Sequence, residues 1–119
     1  MQLPNCRLFL VAPSTGDPQA LAACLSAALA AGDAASLLLP AEQPLVQVLL
    51  KVAREHDIAV LIDEDAEMVR SMDADGVHLS AADASYALAR AQVGSDRIVG
   101  ADCQSSRHRA MELAEAGAD

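Results

Sequence analysis

The feature of this sequence that most restricts its fold is a repeated alternation of short apolar runs with longer segments of helical periodicity. The first run, Leu8–Ala12, is followed by Pro, Ser, Thr and Gly, and then by Leu21, Leu25 and Leu29 at helical spacing. This order is typical of βα units, whose right-handed crossovers make the strands parallel. The sequence therefore predicts an α/β protein built as a parallel βα repeat.

Five βα units are predicted in this way. The predicted strands are Leu8–Ala12, Ser36–Leu39, Ile58–Ile62, Gly76–Ser80 and Arg97–Ala101. The predicted helices begin after Asp17, near Pro44, and at Ala66, Ala84 and Ser106, and they end near Gly32, His56, Met72, Ala91 and Ala116. Asp17, Asp65 and Asp83 each precede a predicted helix, and aspartate is a favoured N-cap residue.

The length of the chain limits how this repeat can close. A complete (β/α)₈ barrel takes about 200 residues or more, and the chain has 119, so we expect a single domain over residues 1–119 with five units and the later ones absent. Gly117–Asp119 looks like a helix end before another strand. Because an open sheet exposes its edges, we expect a homodimer or recruitment of the missing barrel half.

Composition and charge exclude several classes of partner. Eight Lys and Arg residues against seventeen Asp and Glu residues give a formal net charge of −9, and no basic cluster suggests nucleic-acid binding. No apolar stretch reaches the roughly 20 residues needed to span a bilayer. Cys6, Cys24 and Cys103 are widely spaced and odd in number, which favours reduced thiols and a cytoplasmic location.

Carboxylates follow three of the predicted strands. Asp63, Glu64 and Asp65 follow the third, Asp83 follows the fourth, and Asp102 follows the fifth. Because parallel strands end at one edge and lie about 4.8 Å apart, these groups could share one hard cation such as Mg²⁺. The competing interpretation makes them helix caps. We favour it for Asp65, while for Asp83 the two interpretations are balanced.

His78 stands between Val77 and Leu79 and so faces the opposite side of its strand. A lone histidine at such a place is more often a hydrogen-bonded core residue than a catalyst, although both roles stay open. The sequence contains no glycine-rich nucleotide motif, P-loop or nucleophile elbow. The residues by themselves therefore predict an acidic sheet edge and no particular reaction.

The segment from Asp73 to Asp83, DADGVHLSAAD, resembles the G-A-D-G-V-H-L-G-Q-x-D segment of the thiamine-phosphate synthase and TenI family. Arg7–Val11, Arg97–Gly100 and Ala114–Asp119 also resemble that family's first strand, its fifth strand and the helix end before its sixth. The resemblance implies a partial (β/α)₈ TIM barrel. It further implies an enzyme of thiamine biosynthesis that joins hydroxymethylpyrimidine diphosphate to thiazole phosphate and releases pyrophosphate.

The same resemblance implies particular site residues. The family's two Mg²⁺ ligands fall on Glu64 and Asp83, and its substrate-binding positions fall on Asp63, Asp102 and Gln104. The implied ligand is a small phosphorylated molecule, and the implied cofactor is Mg²⁺, which acts as a Lewis acid on the leaving diphosphate.

Several positions depart from the family pattern, and the departures remove positive charge. The strand-two pattern Q-x-R-x-K is replaced by Leu38–Glu42, and the I-N-D-R pattern by Ile62–Asp65. The G-x-[ST]-x-H pattern is replaced by Gly100–Gln104. Since carboxylates repel a diphosphate, we expect weak or no synthase activity. Two hypotheses follow: a divergent synthase-like transferase, and a non-catalytic binding or regulatory paralogue. The chain could also be a fragment of a longer barrel.

Overall fold

The computed structural model describes residues 5–80 and 86–119, in which strands and helices alternate along the chain. The strands are β1 (Leu8–Val11), β2 (Ala34–Leu39), β3 (Ala59–Asp63), β4 (Gly76–Leu79) and β5 (Ile98–Ala101). The helices are α1 (Pro18–Ala31), α2 (Gln43–Glu55), α3 (Ala66–Met72), α4 (Tyr86–Val93) and α5 (Arg107–Ala116). The predicted order of elements is confirmed, while the predicted start of the fourth helix lies outside the described residues.

The five described strands form one sheet in the order β1-β2-β3-β4-β5, and every neighbouring pair is parallel. This confirms the α/β class and the parallel βα repeat. One boundary was wrong in a way that affects the site. Asp63 ends β3 instead of following it, because it pairs in register with His78 of β4.

The core lies between one face of this sheet and the helices. Alternate strand residues are fully buried there, including Leu39, Ile62, Val77 and Val99, and Leu49 of α2 packs in the same cluster. These side chains are aliphatic, as the composition required, because the chain has only one Phe and one Tyr. The burial pattern follows from the period-two alternation of strand side chains.

The other face of the sheet, here called the open face, carries Phe9, Val11, Leu38, Leu61, Asp63, His78 and Ile98. Phe9 is 50% exposed and Val11 is 68% exposed. Leu61 is nevertheless buried, because it packs across Gly76 together with Ile98. In a complete barrel this face would form the interior.

Local capping explains where three helices begin. The Asp17 carboxylate accepts the Ala20 amide at 2.9 Å at the start of α1, and Ser106 Oγ accepts the Arg109 amide at 3.1 Å at the start of α5. Asp65 accepts the Met68 amide at 2.9 Å at the start of α3. The cap interpretation of Asp17 and Asp65 is therefore confirmed.

At the amino end of the sheet, Asp73 and Asp75 connect segments that are far apart in the sequence. The Asp75 carboxylate accepts the Val60 amide at 2.7 Å, and Asp73 forms an ion pair with Arg97 at 2.8 Å. Both contacts join segments at least 15 residues apart. Local sequence could not reveal them, because they depend on how the strands pair.

Candidate functional site

The predicted site residues lie at the carboxyl end of β3 and in the loops after β3 and β5. Asp63 is the last residue of β3, Glu64 follows it, and Asp102 and Gln104 follow β5. The sheet order places β4 between these two groups. The structure therefore brings the described candidates to one edge of the sheet, as parallel strands require.

Asp63 and His78 form a side-chain pair on the open face. His78 Nδ1 lies 3.2 Å from Asp63 Oδ1, and the two side chains are 20% and 42% exposed. Gly100 is the neighbour of His78 in β5, and a Cβ atom at Gly100 would lie 3.6 Å from His78 Cδ2, an ordinary van der Waals distance. His78 is thus hydrogen-bonded, as the sequence favoured, but it is half-buried on the open face and not enclosed in the core.

Asp63 can hold the imidazole in one tautomer. An ionised carboxylate only accepts hydrogen bonds, so the contact requires a proton on Nδ1. In the neutral ring the other nitrogen, Nε2, then carries a lone pair. Such a nitrogen can accept a proton or a hydrogen bond from a ligand at the open face.

Glu64 joins the end of β3 to the end of β4. Its Oε1 accepts the Ser80 amide at 2.6 Å and also accepts the Ser80 hydroxyl. The Glu64 backbone is left-handed, with φ 63°, which is uncommon for a residue other than glycine. Its amide donates to the His78 carbonyl at 2.8 Å, so this backbone geometry continues the β3–β4 pairing and turns the carboxylate toward Ser80.

Asp102 and Gln104 lie in the loop between β5 and α5. The Asp102 carboxylate accepts the Gln104 amide at 2.7 Å, which closes a tight turn in which Gln104 has φ 51°. This loop borders a surface pocket of about 410 Å³ lined by Ser80, Asp102, Cys103, Gln104, Ser105, Ser106 and Arg109. The predicted substrate-binding residues Asp102 and Gln104 therefore share one pocket with Ser80, the residue that contacts Glu64.

The magnesium site predicted at Glu64 and Asp83 is described only in part, because Asp83 lies outside the described residues. Glu64 contacts Ser80, which precedes Asp83 by three positions. A carboxylate at that place has the oxygen donors that Mg²⁺ prefers. Within residues 5–80 and 86–119, no group of three or more His, Cys, Asp or Glu side chains could hold an ion. The site stays a prediction.

Sequence analysis missed two residues that border this pocket, Ser80 and Arg109. Ser80 directly follows β4, and this position at the carboxyl edge was the available signal. Arg109 lies in the first turn of α5, where its half-buried side chain brings a cation to the pocket that also holds Asp102. A search for carboxylates alone does not consider either residue type.

Two groups at the opposite end of the sheet, Arg90 and Asp119, have shifted pKa values. The pKa of Asp119 is lowered by the hydrogen bond from the Val99 amide and by the one from Arg90. The pKa of Arg90 is raised by its hydrogen bonds to Tyr86 and Asp119. These groups hold the end of α5 against β5 and are remote from the candidate site. No helix in the described part of the chain is long and apolar enough to cross a membrane.

Comparison with known proteins identifies relatives over almost the whole chain. The family model "Thiamine monophosphate synthase" (TMP-TENI) matches residues 8–119. Thiamine-phosphate synthase of Rhodospirillum centenum is 41% identical, covering 98% of this chain and 60% of its own length. Thiamine-phosphate synthase of Hyphomonas neptunium is also 41% identical, covering 98% of this chain and 58% of its own length.

A solved structure gives the same fold. Thiamine phosphate pyrophosphorylase from Pyrococcus furiosus matches with a TM-score of 0.75 and 21% identity, over 95% of this chain and 57% of that one. The expected partial TIM barrel is consistent with this match, and the chain spans about three-fifths of the length of the relatives above. The family match over residues 8–119 shows that the chain belongs to the thiamine monophosphate synthase (TMP-TENI) family.

Proposed function

We propose that this chain acts in thiamine biosynthesis as a thiamine-phosphate synthase-like protein that binds a small phosphorylated ligand at the carboxyl edge of its sheet. The observation that carries the proposal is the 41% identity to thiamine-phosphate synthases over 98% of the chain. The reaction would join hydroxymethylpyrimidine diphosphate to thiazole phosphate and release pyrophosphate.

Glu64 and Asp83 would hold Mg²⁺ in this function. Glu64 is suited to this because it lies at the strand end and contacts Ser80, which precedes Asp83 by three positions in the sequence. The ion, when bound, would supply Lewis-acid stabilisation to a leaving diphosphate.

The other residues of the edge would bind and orient the ligand. Arg109 places a cation in the pocket beside Asp102 and Gln104, where it can attract a phosphate. His78, oriented by Asp63, presents Nε2 at the open face, where it can accept a hydrogen bond from a ligand. Together these groups would bind the two ends of a molecule that carries both a phosphate and a hydrogen-bond donor.

The acidic substitutions predict that binding and turnover are weak. Glu42, Asp65 and Asp102 stand where the family pattern has lysine, arginine and serine or threonine. Losing one charge-assisted contact costs about 1.5–3 kcal/mol, and a carboxylate in its place adds repulsion. This observation favours a second candidate function, a non-catalytic binding or regulatory paralogue.

One pair of assays tests both candidates. Protein is produced in a host that lacks its own synthase, and pyrophosphate release from the two family substrates is measured with and without Mg²⁺. Mg²⁺-dependent release that is lost in Glu64→Gln and in Asp83→Asn supports the synthase. Glu67→Gln alters an exposed residue of α3 and is the matched control, which should leave pyrophosphate release unchanged.

Calorimetric titration with pyrophosphate separates the remaining outcomes. Mg²⁺-dependent binding without release supports the binding paralogue. A protein that neither binds pyrophosphate nor releases it from the two substrates contradicts both candidates. We further propose a cytoplasmic location, which the three free cysteines Cys6, Cys24 and Cys103 support.

A further inference from the structure

Glu64 and Ser80 form a contact that joins two loops of the candidate site. The Ser80 amide donates to Glu64 Oε1 at 2.6 Å, and the Ser80 hydroxyl donates to the same oxygen. Two donors from one residue therefore reach a single carboxylate oxygen. Hydrogen bonds to an ionised carboxylate are stronger than those between neutral groups, so this contact restricts the orientation of the Glu64 side chain.

The backbone holds both partners of this contact in place. The Glu64 amide donates to the His78 carbonyl at 2.8 Å, which fixes the start of the loop after β3 against β4. On the other side of β4, the Asp102 amide donates to the Leu79 carbonyl at 2.8 Å. Ser80 therefore follows a strand end that is hydrogen-bonded to both neighbouring segments, and its position relative to Glu64 is set by the sheet.

Both residues of this contact differ from the family patterns given above. The I-N-D-R pattern has aspartate at the position of Glu64, and the G-A-D-G-V-H-L-G segment has glycine at the position of Ser80. Glutamate is longer than aspartate by one methylene group, and serine adds a hydroxyl donor that glycine lacks. The hydroxyl contact therefore depends on two residues at which this chain departs from the family patterns.

A carboxylate that binds a cation benefits from being held in place before the ion binds. An ionised carboxylate has about four acceptor sites, so two hydrogen bonds are compatible with a cation on the same group. Ligating carboxylates are generally hydrogen-bonded by neighbouring groups, and loss of such a group typically lowers metal affinity about 10- to 100-fold. Ser80 also stands three positions before Asp83, the other predicted ligand, so it begins the segment that contains that residue.

We propose that Ser80 is a positioning residue for the predicted Mg²⁺ site, and that its hydroxyl holds the Glu64 carboxylate in the orientation in which it binds the ion. This inference rests on the proposed function, because it takes Glu64 as a metal ligand. Carboxylate oxygens are ligands that Mg²⁺ prefers, whereas the Ser80 amide and hydroxyl act on the carboxylate as hydrogen-bond donors. The role of Ser80 is therefore to orient the ligand and not to contact the ion.

Metal binding by single variants of the 119-residue chain gives the first test. Mg²⁺ affinity is measured by calorimetry and Mn²⁺ affinity by electron paramagnetic resonance, with no substrate present. We expect Ser80→Ala and Ser80→Gly, which keep the amide and lose the hydroxyl, to weaken both affinities by about tenfold or more. Ser71→Ala is the matched control and should leave both affinities unchanged, because the Ser71 hydroxyl donates to the Met68 carbonyl within α3.

Two further variants separate positioning from a general structural role. Ser80→Thr retains a hydroxyl, so we expect it to recover most of the affinity that Ser80→Ala loses. Ser80→Ala combined with Glu64→Gln should bind the ions no more weakly than Glu64→Gln alone, since the missing hydroxyl then has no ligating carboxylate to orient. Circular dichroism of the ion-free proteins should be the same in all variants, because Ser80 and Glu64 are exposed.

The outcomes distinguish this proposal from the proposed function. Unchanged affinity in Ser80→Ala, together with weaker binding in Glu64→Gln, overturns the role of Ser80 and leaves the metal site in place. An unsubstituted chain that binds neither ion overturns both the metal site and the role of Ser80. A loss that persists in Ser80→Thr, or that adds fully to the loss in Glu64→Gln, contradicts the positioning role.

Discussion

At the scale of single residues, Gly76 decides how closely three strands pack on the open face. A Cβ atom at this position would overlap the Ile98 carbonyl oxygen and lie 2.5 Å from Leu61 Cδ2. The carbonyl belongs to the β5 backbone and cannot rotate away. Glycine is therefore required here by close approach, and the glycine in the D-G-V-H-L motif has a packing role.

We predict that Gly76→Ala lowers the free energy of unfolding by about 2 kcal/mol or more, because overpacking forces the β4 and β5 backbones apart. Chemical denaturation monitored by circular dichroism measures the change. Gly32→Ala is the matched control, since a Cβ there meets nothing within 4 Å and the backbone is extended. Similar losses in the two variants would show that the contact with Ile98 is unimportant.

A second residue-scale prediction concerns the Asp63–His78 pair. Asp63→Asn introduces an amide that can either accept from or donate to Nδ1, so the tautomer preference of the ring should weaken. Nitrogen NMR of the neutral imidazole should show a lower fraction with the proton on Nδ1. His56, whose Nδ1 contacts the Val52 carbonyl on α2, serves as the internal control. An unchanged His78 spectrum would mean that Asp63 does not orient the ring.

At the scale of elements, the junction between α5 and β5 depends on one carboxylate. Asp119 accepts hydrogen bonds from both Val99 and Arg90, and these lower its pKa. Because the unfolded chain binds the proton more readily, this stabilisation is present above the unfolded pKa of about 3.9. It is lost as the pH falls through the lower folded-state pKa.

We predict that Asp119→Ala lowers the free energy of unfolding by about 1 kcal/mol at pH 7. The expected loss is small because the Asp119 side chain is half exposed, so water screens its interaction with Arg90. The difference from the unsubstituted chain should shrink to nothing in acid below the folded-state pKa. Denaturation measured over a pH series checks this, with Asp96→Ala as the control. A difference that persists unchanged in acid would contradict the electrostatic explanation.

At the scale of the whole molecule, the net charge of −9 disfavours the binding of any phosphorylated ligand, because both carry negative charge. What matters for binding is where the charge lies, because Glu42 and Asp65 are at the carboxyl edge beside the candidate site. Glu55 and Glu115, by contrast, are exposed residues at the carboxyl-terminal ends of α2 and α5. The chain thus offers two acidic pairs that contribute equally to net charge but differ in position.

We predict that Glu42→Lys combined with Asp65→Arg raises the affinity for pyrophosphate by about tenfold. Glu55→Lys combined with Glu115→Arg changes the net charge equally and should have a much smaller effect. Calorimetry measures both affinities, and circular dichroism checks whether α3 stays folded without its Asp65 cap. Equal gains in the two double variants would show that only total charge matters.

The sequence by itself determined the βα order, the parallel sheet, the aliphatic core and the caps at Asp17 and Asp65. These features depend on periodicity and on contacts three or four residues apart, so a local pattern contains them. It also placed Asp63, Glu64, Asp102 and Gln104 near one edge, because parallel strands end together.

Only the tertiary structure decided which of these groups touch. The pairs Asp63–His78, Glu64–Ser80 and Asp75–Val60 each join residues 15 or 16 positions apart. Such contacts depend on strand register, and a shift of one residue would turn each strand side chain to the opposite face. Register is set by packing of the whole sheet against its helices, which no short stretch of sequence specifies.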